Sequence, residues 1–423
     1  MIEVGIAFLV FFVLLAVSVP VAFSILTATV VGLLLIGDFP LQIVAQTAFS
    51  PSTDFMLLAI PFFILTGDLL AGGKLGQRAI GLATRVIGRF RGGLGHASIA
   101  TSLAFSGVSG SAVADASGLG NVLIPWTKRE GYPAPFAAAV NSSTSIIGVI
   151  LPPSIPLILY ASVSGASVAA LFIAGIVPGI LLALAYVVVC WWVAWRKDYP
   201  RKKVKLSWSG VLKDIVVITP AILLPIILIR VVLFGGIATV TEVAVLAALY
   251  AVLVRLVIYR DLTLRMLTKS LVNTAAATGV VMLLIMVSSS LSWLLTVEEV
   301  PPKLATFFLD NVSSAVLILL IMNVIMLVVG AFLDMSPAIL LLTPVLLPLA
   351  AGIGLDPVHL GIIVVLNLAI GLFTPPVGTT LYISTSIAGI KIERTVVALV
   401  PFYLAALAVL ALVTYVPALI ITP

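Results

Sequence analysis

The sequence predicts an all-α polytopic membrane protein built as an inverted repeat, with two re-entrant helical hairpins, each followed by a broken transmembrane helix. This prediction depends on an apolar composition, a phrase that recurs 223 residues along the chain, and the placement of Lys and Arg. Of the 423 residues, 62% are hydrophobic and 9% are charged, and the mean hydropathy is +1.31. Water could not solvate so apolar a surface, so we expect the chain to cross a membrane several times.

The positions of Lys and Arg orient the predicted spans. Of the 22 basic residues, 20 lie in five clusters, at 74–91, 128–129, 196–213, 255–269 and 391–394. Short basic loops between apolar spans mark the cytoplasmic side, whereas loops 37–53 and 352–358 contain no Lys or Arg and are predicted to lie outside. Membrane orientation therefore explains the net charge of +6, and no nucleic-acid partner is predicted.

The two ends of the chain are both expected on the external side. Residues 2–36 are too long for one span at about 1.5 Å per residue, so we divide them at Pro20, and the last span, 395–421, also ends outside. The single Cys190 excludes an intrachain disulfide, and His96 and His359 are too few and too scattered to predict a metal cluster.

The first hairpin is predicted at 94–127, because basic clusters flank this stretch on both sides and it must enter and leave from the cytoplasm. Its tip, 106–111, reads Ser-Gly-Val-Ser-Gly-Ser. Such polar, glycine-rich backbone occurs at membrane depth only where protein buries it or a cavity adjoins it.

The second hairpin is predicted at 312–351, which begins and ends on the external side and so cannot be a single span. A complete crossing needs roughly 20 residues, and the polar break 334–337 leaves arms of 22 and 14 residues, too few for two complete crossings. The two hairpins therefore share a register but enter from opposite sides, as an inverted repeat requires.

The span after each hairpin is broken by a double proline at the same repeat position. Gly107, Pro125 and Pro152 have the same spacing as Gly330, Pro348 and Pro375, 18 and then 27 residues. Two adjacent prolines remove backbone donors and leave upstream carbonyls without partners. These carbonyls suit a monovalent cation and the half-helix N-termini suit an anion, an arrangement found at the midplane sites of secondary transporters.

Two carboxylates lie within the predicted hairpins. Asp334, at a tip, is expected to shape the site, because ionisable groups inside a membrane are usually functional. Asp115 has two open interpretations, a functional carboxylate or a cap of the second hairpin helix.

In these segments the chain resembles the large membrane subunit of the TRAP (tripartite ATP-independent periplasmic) transporters, the DctM-like family. The matching phrases are SGVSGSAVADASGLGNVLIP, GVILPPSIPLILYA, FGGIATVTEVAVLAALYA, GAFLDMSPAILLLTPVLLPLA and DPVHLGIIVVLNLAIGLFTPPVGTTLYIS. The chain departs from the family pattern in its Ser- and Asn-rich region 139–146 and in ATVTE at 238–242, which lacks a proline before its Glu.

The resemblance implies an elevator-type, sodium-coupled importer of organic anions, usually carboxylates, in the cytoplasmic membrane of a bacterium or archaeon. It implies a soluble periplasmic substrate-binding protein and a small four-helix membrane subunit as partners, with sodium ions as the coupling ions and no other cofactor. The implied division of the chain is as follows: scaffold helices at 1–72, 168–258 and 259–311 (with an arm in the last), an amphipathic arm at 73–93, transport-domain repeats at 94–167 and 312–390, and a C-terminal helix at 391–423. The broken helices are placed at 134–163 and 358–390.

The expected site residues fall into three sets, of which the family motif implies the repeat 2 sodium site and the 223-residue offset gives its counterpart in repeat 1. A sodium site in repeat 2 comprises Gly330, Asp334, Gly371, Thr374 and Val377, and its symmetric counterpart in repeat 1 comprises Ser106, Gly107, Ser109, Gly148, Leu151 and Ser154. Expected substrate contacts are Gly110, Ser111, Asn141, Pro152, Pro153, Pro375, Pro376 and Gly378.

Other functions remain to be distinguished. A stand-alone elevator-type dicarboxylate or citrate sodium symporter also has paired hairpins, and uptake without partner proteins would favour it. An intramembrane enzyme is not expected, because the sequence contains no intramembrane Ser-His pair, His-Glu zinc motif or Gly-Asp catalytic phrase. A continuous channel is also not expected, because paired inverted hairpins suit alternating access better than a continuous pore.

Overall fold

The structure is a computed structural model. It describes residues 2–71, 81–83, 86–87, 92–199, 211–212, 214–220, 223 and 238–421, except for the side chains of Ala71, Ser106 and Val108. Every regular element in these ranges is a helix, which confirms the predicted all-α class. Six described helices are long and apolar enough to cross a membrane, or up to eight if each bent pair counts as one span. The predicted arm at 73–93 and span at 214–234 lie largely outside the described residues.

The N-terminal region contains four helices. They are α1 (Ile2–Ala16), α2 (Val21–Ile36), α3 (Gln42–Phe49) and α4 (Ala59–Ala71). The division at Pro20 is confirmed, since Pro20 is the residue before α2. The expected loop at 37–53 is wrong over much of its length, because α3 and a 3-10 turn, Ser50–Thr53, occupy it. Tertiary contact stabilises α3: Thr47 donates to Ser290 Oγ at 3.0 Å, and Ser290 donates to the Val44 carbonyl at 3.0 Å.

Hairpin 1 consists of α5 (Gly93–Ser109) and a return arm made of α6 (Ala112–Gly118) and α7 (Gly120–Arg129). The turn lies at Gly110 and Ser111, inside the predicted tip. Gly110 has a φ of +58°, and the Ser111 hydroxyl accepts a bond from the Ala114 N–H at 3.4 Å. A left-handed glycine followed by a serine N-cap reverses the chain in two residues.

The first broken helix follows directly. It comprises α8 (Ala134–Thr144), a single turn α9 (Ile147–Ile150) and α10 (Ile155–Ser164), with a bend of 45° across the break. Residues 151–154, here called break 1, contain the cis Pro152–Pro153 bond. Ser154 restarts the helix by accepting the Leu157 N–H at 3.2 Å and donating to the Val149 carbonyl.

Hairpin 2 and its broken helix have the same order. The hairpin pairs α15 (Ala315–Phe332) with α16 (Met335–Gly352), and the broken helix comprises α17 (Pro357–Gly371) and α18 (Thr379–Ala388). Residues 372–378, here called break 2, contain the cis Pro375–Pro376 bond. The turn of the hairpin lies at Leu333 and Asp334, as predicted.

The remaining described helices are α11 (Val168–Arg196), α12 (Val240–Leu253), α13 (Leu264–Val297), α14 (Val300–Asn311) and α19 (Ile392–Tyr415). A π-helical turn, Val254–Tyr259, extends α12. Within the basic cluster 255–269, Arg255 is 2% exposed and bonds Asp261 and the Leu69 carbonyl, whereas Arg260 and Arg265 are exposed. Residues from Leu264 onward belong to α13.

The two repeats interlock where their broken helices meet. Helix α8 of repeat 1 packs along α18 of repeat 2, while α10 packs on both α16 and α17. Hydroxyl and amide groups join the first pair: Ser142 and Thr380 share a bond of 3.2 Å, and Asn141 donates to Ser384 Oγ at 2.9 Å. Both breaks therefore belong to one packed body, against which α4 and α13 lie.

Candidate functional site

A cavity of about 680 Å³, here called the central cavity, lies where the two hairpin tips meet. Hairpin 1, Val149 and the first turn of α10 supply one wall, hairpin 2 and Leu372 a second, and helices α4 and α13 a third. The wall residues that the argument uses are Ser109, Gly110, Ser111, Ser117, Ile155, Asp334, Ser336, Asp68 and Asn273. The cavity therefore spans the boundary between the repeats and the surrounding helices.

The tip of hairpin 1 is seated on break 1 through a glycine. A Cβ added to Gly110 would lie 2.7 Å from the Pro153 carbonyl oxygen and 3.5 Å from the Ile155 backbone nitrogen. Only glycine tolerates both this approach and the positive φ. The contact places the hairpin tip beside the first turn of α10, where Ile155 and Pro156 line the central cavity.

Behind this tip, two buried oxygens converge on Gly148. A Cβ added there would lie 2.5 Å from Asp115 Oδ2 and 3.6 Å from Ser109 Oγ. Asp115 is 2% exposed and Ser109 is 3% exposed, and within the described part of the chain neither oxygen has a hydrogen-bond partner. The two faces of helix α6 therefore have different surroundings: Ala114 and Ser117 line the cavity, while Asp115 faces the interior beside Gly148.

The matching place in repeat 2 is built from backbone. A Cβ on Gly371 would overlap the carbonyl of Gly330, near the end of α15. The Val377 N–H donates to the Ala331 carbonyl at 3.2 Å, and Thr374 Oγ1 donates to the Ile370 carbonyl at 2.7 Å. Break 2 is thereby held against the hairpin tip, with the Thr374 hydroxyl beside the free end of α17.

Hairpin 2 contributes a carboxylate to the cavity. Asp334 is the N-cap residue of α16, and its Oδ1 is buried with no hydrogen-bond partner among the described residues. Across the boundary, Asp68 of α4 lines the same cavity, half-buried, and no hydrogen bond or ion pair engages it in the described ranges. The two carboxylates face one space.

The structure brings together most of the predicted sodium residues, each set within its own repeat. Gly330, Gly371, Thr374 and Val377 meet at break 2, and Ser109, Gly148 and Ser154 lie around break 1. Asp334, which belongs to the predicted repeat 2 set, lines the central cavity. Gly107 is a buried residue of α5, and the side chain of Ser106 lies outside the described part. The Leu151 side chain packs on Gly179 of α11, so only its backbone could bind an ion.

The predicted substrate residues divide into two groups. Gly110 and Ser111 line the central cavity, but Asn141 does not: it is 3% exposed and donates to the Ala116 carbonyl at 2.9 Å. Asn141 also donates to Ser384 Oγ at 2.9 Å and so joins the two repeats, and its contact with substrate stays a prediction. The remaining predicted residues, Pro152, Pro153, Pro375, Pro376 and Gly378, shape the breaks and do not line the cavity.

Three cavity or near-cavity residues were absent from the predicted set. Asp68 and Asn273 come from helices outside the repeats, and Asp115 was left with two interpretations. A signal for Asp68 existed, since it is the sole charged residue among residues 55–71. An isolated carboxylate in a membrane segment is by itself a pointer to function.

A second cavity, of about 390 Å³, lies further along α13 at the same boundary. Its wall is rich in hydroxyl groups. The polar members are Ser50, Thr53, Asp54, Ser162, Ser288, Ser289 and Ser292. The two cavities adjoin successive parts of one helix.

Comparison with known proteins gives a consistent picture. Residues 8–419 match the family described as "Tripartite ATP-independent periplasmic transporter, DctM component". An uncharacterized protein of Sinorhizobium fredii, y4mL, is 46% identical, covering 97% of this chain and 98% of that protein.

The names of other relatives specify different substrates. The 2,3-diketo-L-gulonate TRAP transporter large permease protein of Escherichia coli is 35% identical, over 97% of this chain and 96% of its own. The C4-dicarboxylate TRAP transporter large permease protein of Pseudomonas aeruginosa is 35% identical, over 91% and 90%. Among solved structures, the Alcanivorax borkumensis YdaH transporter shares the fold, with a TM-score of 0.61 at 16% identity over 90% of this chain and 88% of that one.

Proposed function

The chain belongs to the DctM family of tripartite ATP-independent periplasmic transporters, and from this premise we propose that it is the transport subunit of a sodium-coupled secondary importer of organic anions. It is a large permease subunit, not an enzyme. The observation that carries the proposal is the central cavity, which both hairpin tips and both breaks adjoin on one side and α4 and α13 on the other. Such a boundary site suits alternating access by a moving body.

In the proposed mechanism, the interlocked repeats form the moving transport domain and α4 and α13 belong to the static scaffold. The hairpin tips bind substrate in the central cavity and travel with it along the scaffold. The basic clusters support a position near the cytoplasm for the C-terminal end of α4 and the start of α13. In the conformation described here, the central cavity would then face the cytoplasm.

Sodium is the proposed coupling ion, and the oxygens at the two breaks fit it. Beside break 1 lie Ser109 Oγ, the Asp115 carboxylate and backbone carbonyls around Gly148, and both side chains are buried. Break 2 offers the Gly330 carbonyl and the Thr374 hydroxyl. A buried carboxylate without a partner is costly unless a cation or a proton compensates it. Bound sodium would hold hairpin 1 on break 1 and thereby complete the cavity wall.

The proposed partners are a small four-helix membrane subunit and a periplasmic substrate-binding protein that delivers the anion. Apolar faces of the outer helices are available to the small subunit or to lipid: Leu9 is 63% exposed, Leu184 55% and Val397 75%.

The test is uptake by proteoliposomes that contain this chain and its small subunit, with the cognate binding protein outside. We expect accumulation of the anion only with an inward sodium gradient, and none when potassium replaces sodium. Equal uptake in potassium would overturn the coupling. Full uptake by this chain alone, without either partner, would favour the stand-alone symporter.

A further inference from the structure

Two neighbouring side chains of α8 bond directly to the repeat 2 helix that follows break 2. The first is Asn141, whose amide nitrogen carries two hydrogens and donates to the Ala116 carbonyl and to Ser384 Oγ, each at 2.9 Å. Ala116 lies in α6, next to Asp115, whereas Ser384 lies in α18. One buried amide therefore connects the helix that carries the carboxylate beside break 1 with the helix that leaves break 2.

The second side chain, Ser142, reaches the backbone of break 2 through a threonine. Thr380 Oγ1 shares a bond of 3.2 Å with Ser142 Oγ and donates to the Leu372 carbonyl at 2.9 Å. The Thr380 N–H donates to the same carbonyl, also at 2.9 Å. Leu372 is the first residue of break 2, and it lines the central cavity. Repeat 1 is thus bonded to the start of break 2.

These side chains form a compact group, here called the cross-repeat bridge, which comprises Asn141, Ser142, Thr380 and Ser384. All four are buried, with at most 3% of any of them exposed. A Cβ added to Gly120, the first residue of α7, would lie 2.7 Å from the Asn141 amide nitrogen. Hairpin 1 therefore approaches the amide closely, and in so densely packed a region a shift of α6 or α7 must move the bridge.

We propose that Thr380 and Ser384 are positioning residues that couple the two breaks, so that a cation bound at one break favours the geometry that binds a cation at the other. The proposal rests on the proposed function, because it concerns the two proposed sodium sites. A cation held by Asp115 fixes α6, the bridge then fixes α18 against α8, and Thr380 fixes the Leu372 carbonyl. Such coupling is reciprocal, since each ion favours the binding of the other by the same factor.

Hydroxyl groups on the same two helices supply matched controls. Ser143 of α8 and Thr385 of α18 are also buried, but each donates to carbonyls of its own helix. Removing either hydroxyl disturbs a buried position without breaking a bond between the repeats. The substitutions Ser384→Ala and Thr380→Val, in contrast, remove bonds between the repeats and leave the bond from Asn141 to α6 in place.

The test measures binding of radioactive sodium to the detergent-purified complex of this chain and its small subunit, with choline chloride keeping the ionic strength constant. We expect a wild-type Hill coefficient above about 1.5, below the limit of about 2 that two sites set. In the double variant Thr380→Val, Ser384→Ala it should fall to about 1, and the half-saturating sodium concentration should rise about three- to fivefold, because the two ions then bind independently. Ser143→Ala and Thr385→Val should retain the wild-type binding curve.

A conservative variant distinguishes coupling from packing. Thr380→Ser keeps the hydroxyl, so its Hill coefficient should equal the wild-type value even where loss of the methyl group lowers the thermal unfolding midpoint. If the double variant yields no folded complex, Ser384→Ala decides alone, because it removes a single hydroxyl and should also lower the coefficient. A wild-type coefficient of about 1, or an unchanged coefficient in the variants that lack the bridge, would overturn the proposal.

Failure of this proposal and failure of the proposed function give different results. If sodium binds without cooperativity, or with a cooperativity that the bridge variants leave unchanged, the coupling between the breaks is wrong while the sodium-coupled importer stands. If the complex binds no sodium, both are wrong.

Discussion

Asp115 is the residue on which coupling between ion and substrate most depends in the proposed mechanism. It lies on the side of α6 that faces Gly148, whereas Ala114 and Ser117, on the other side of the same helix, line the central cavity. A cation that binds Asp115 would fix α6 and so fix the cavity wall. Sodium binding would then improve substrate binding without touching the substrate.

Substituting Asp115→Asn should weaken sodium activation. The amide keeps the size of the side chain but removes the charge that compensates a buried cation, so we expect the sodium concentration for half-maximal uptake to rise at least about tenfold. Sodium titration of uptake measures this. Asp310→Asn, at an exposed position of α14, serves as control and should retain the wild-type value. Unchanged sodium activation in the Asp115 variant would place the ion elsewhere.

The residue-level site was only partly predictable from the sequence. The glycines beside the two breaks could be predicted from the repeat spacing, because a local break in the backbone requires glycine wherever it occurs. Asp115 could not be assigned, since its direction depends on where Ser111 starts α6. The buried bond of Asn141 could not be predicted, because the polar run around it contacts α18, more than 200 residues away. Such pairings between distant segments leave no local pattern in the chain.

At the scale of elements, the seating of hairpin 1 on break 1 depends on Gly110. Ala at this position would be strained in the left-handed region, by roughly 1–2 kcal/mol, and its Cβ would lie 2.7 Å from the Pro153 carbonyl oxygen. The tip would have to move away from break 1. Both the cavity wall and the cluster at Gly148 would then be displaced.

We therefore expect Gly110→Ala to lower uptake several-fold more than Gly165→Ala does. Gly165 ends α10 with a φ of +71° and has no atom within 4 Å of an added Cβ, so it shares the backbone strain and lacks the overlap. Comparing uptake rates, with thermal unfolding midpoints for stability, isolates the contact with Pro153. Equal effects on both measurements would mean that the seating of the tip contributes nothing specific.

Sequence patterns predicted elements best where one physical rule acts alone. The hairpins follow from apolar length and the basic clusters, and the breaks follow from double prolines. Helix α3 was missed because a short helix of eight residues is stabilised by its packing on α13 and not by its own pattern. Arg255 was misplaced because a buried partner, Asp261, reverses the usual preference of arginine for the surface.

At the scale of the whole molecule, the proposed mechanism assigns to α13 the surface along which the transport domain moves. Asn273, Ala277 and Val281 line the central cavity, and Ile285, Ser288 and Ser292 line the second cavity. At 3.6 residues per turn these positions follow one face of the helix. The hydroxyl-rich second cavity then lies where the tip of hairpin 1 would arrive in the opposite state, about 16 Å along the axis from Ala277 to Ser288.

Cross-linking can test this movement, because Cys190 is the single native cysteine and is buried. In a Cys190→Ala background, a short bifunctional reagent should link Ser111→Cys to Ala277→Cys in the arrangement described here. Ser111→Cys with Ser288→Cys should link only in the opposite state, and either link should stop uptake. Val272→Cys, on another face of α13, is the control and should form neither link. If transport proceeds while the Ser288 pair never links, the hairpin does not travel along this face of α13.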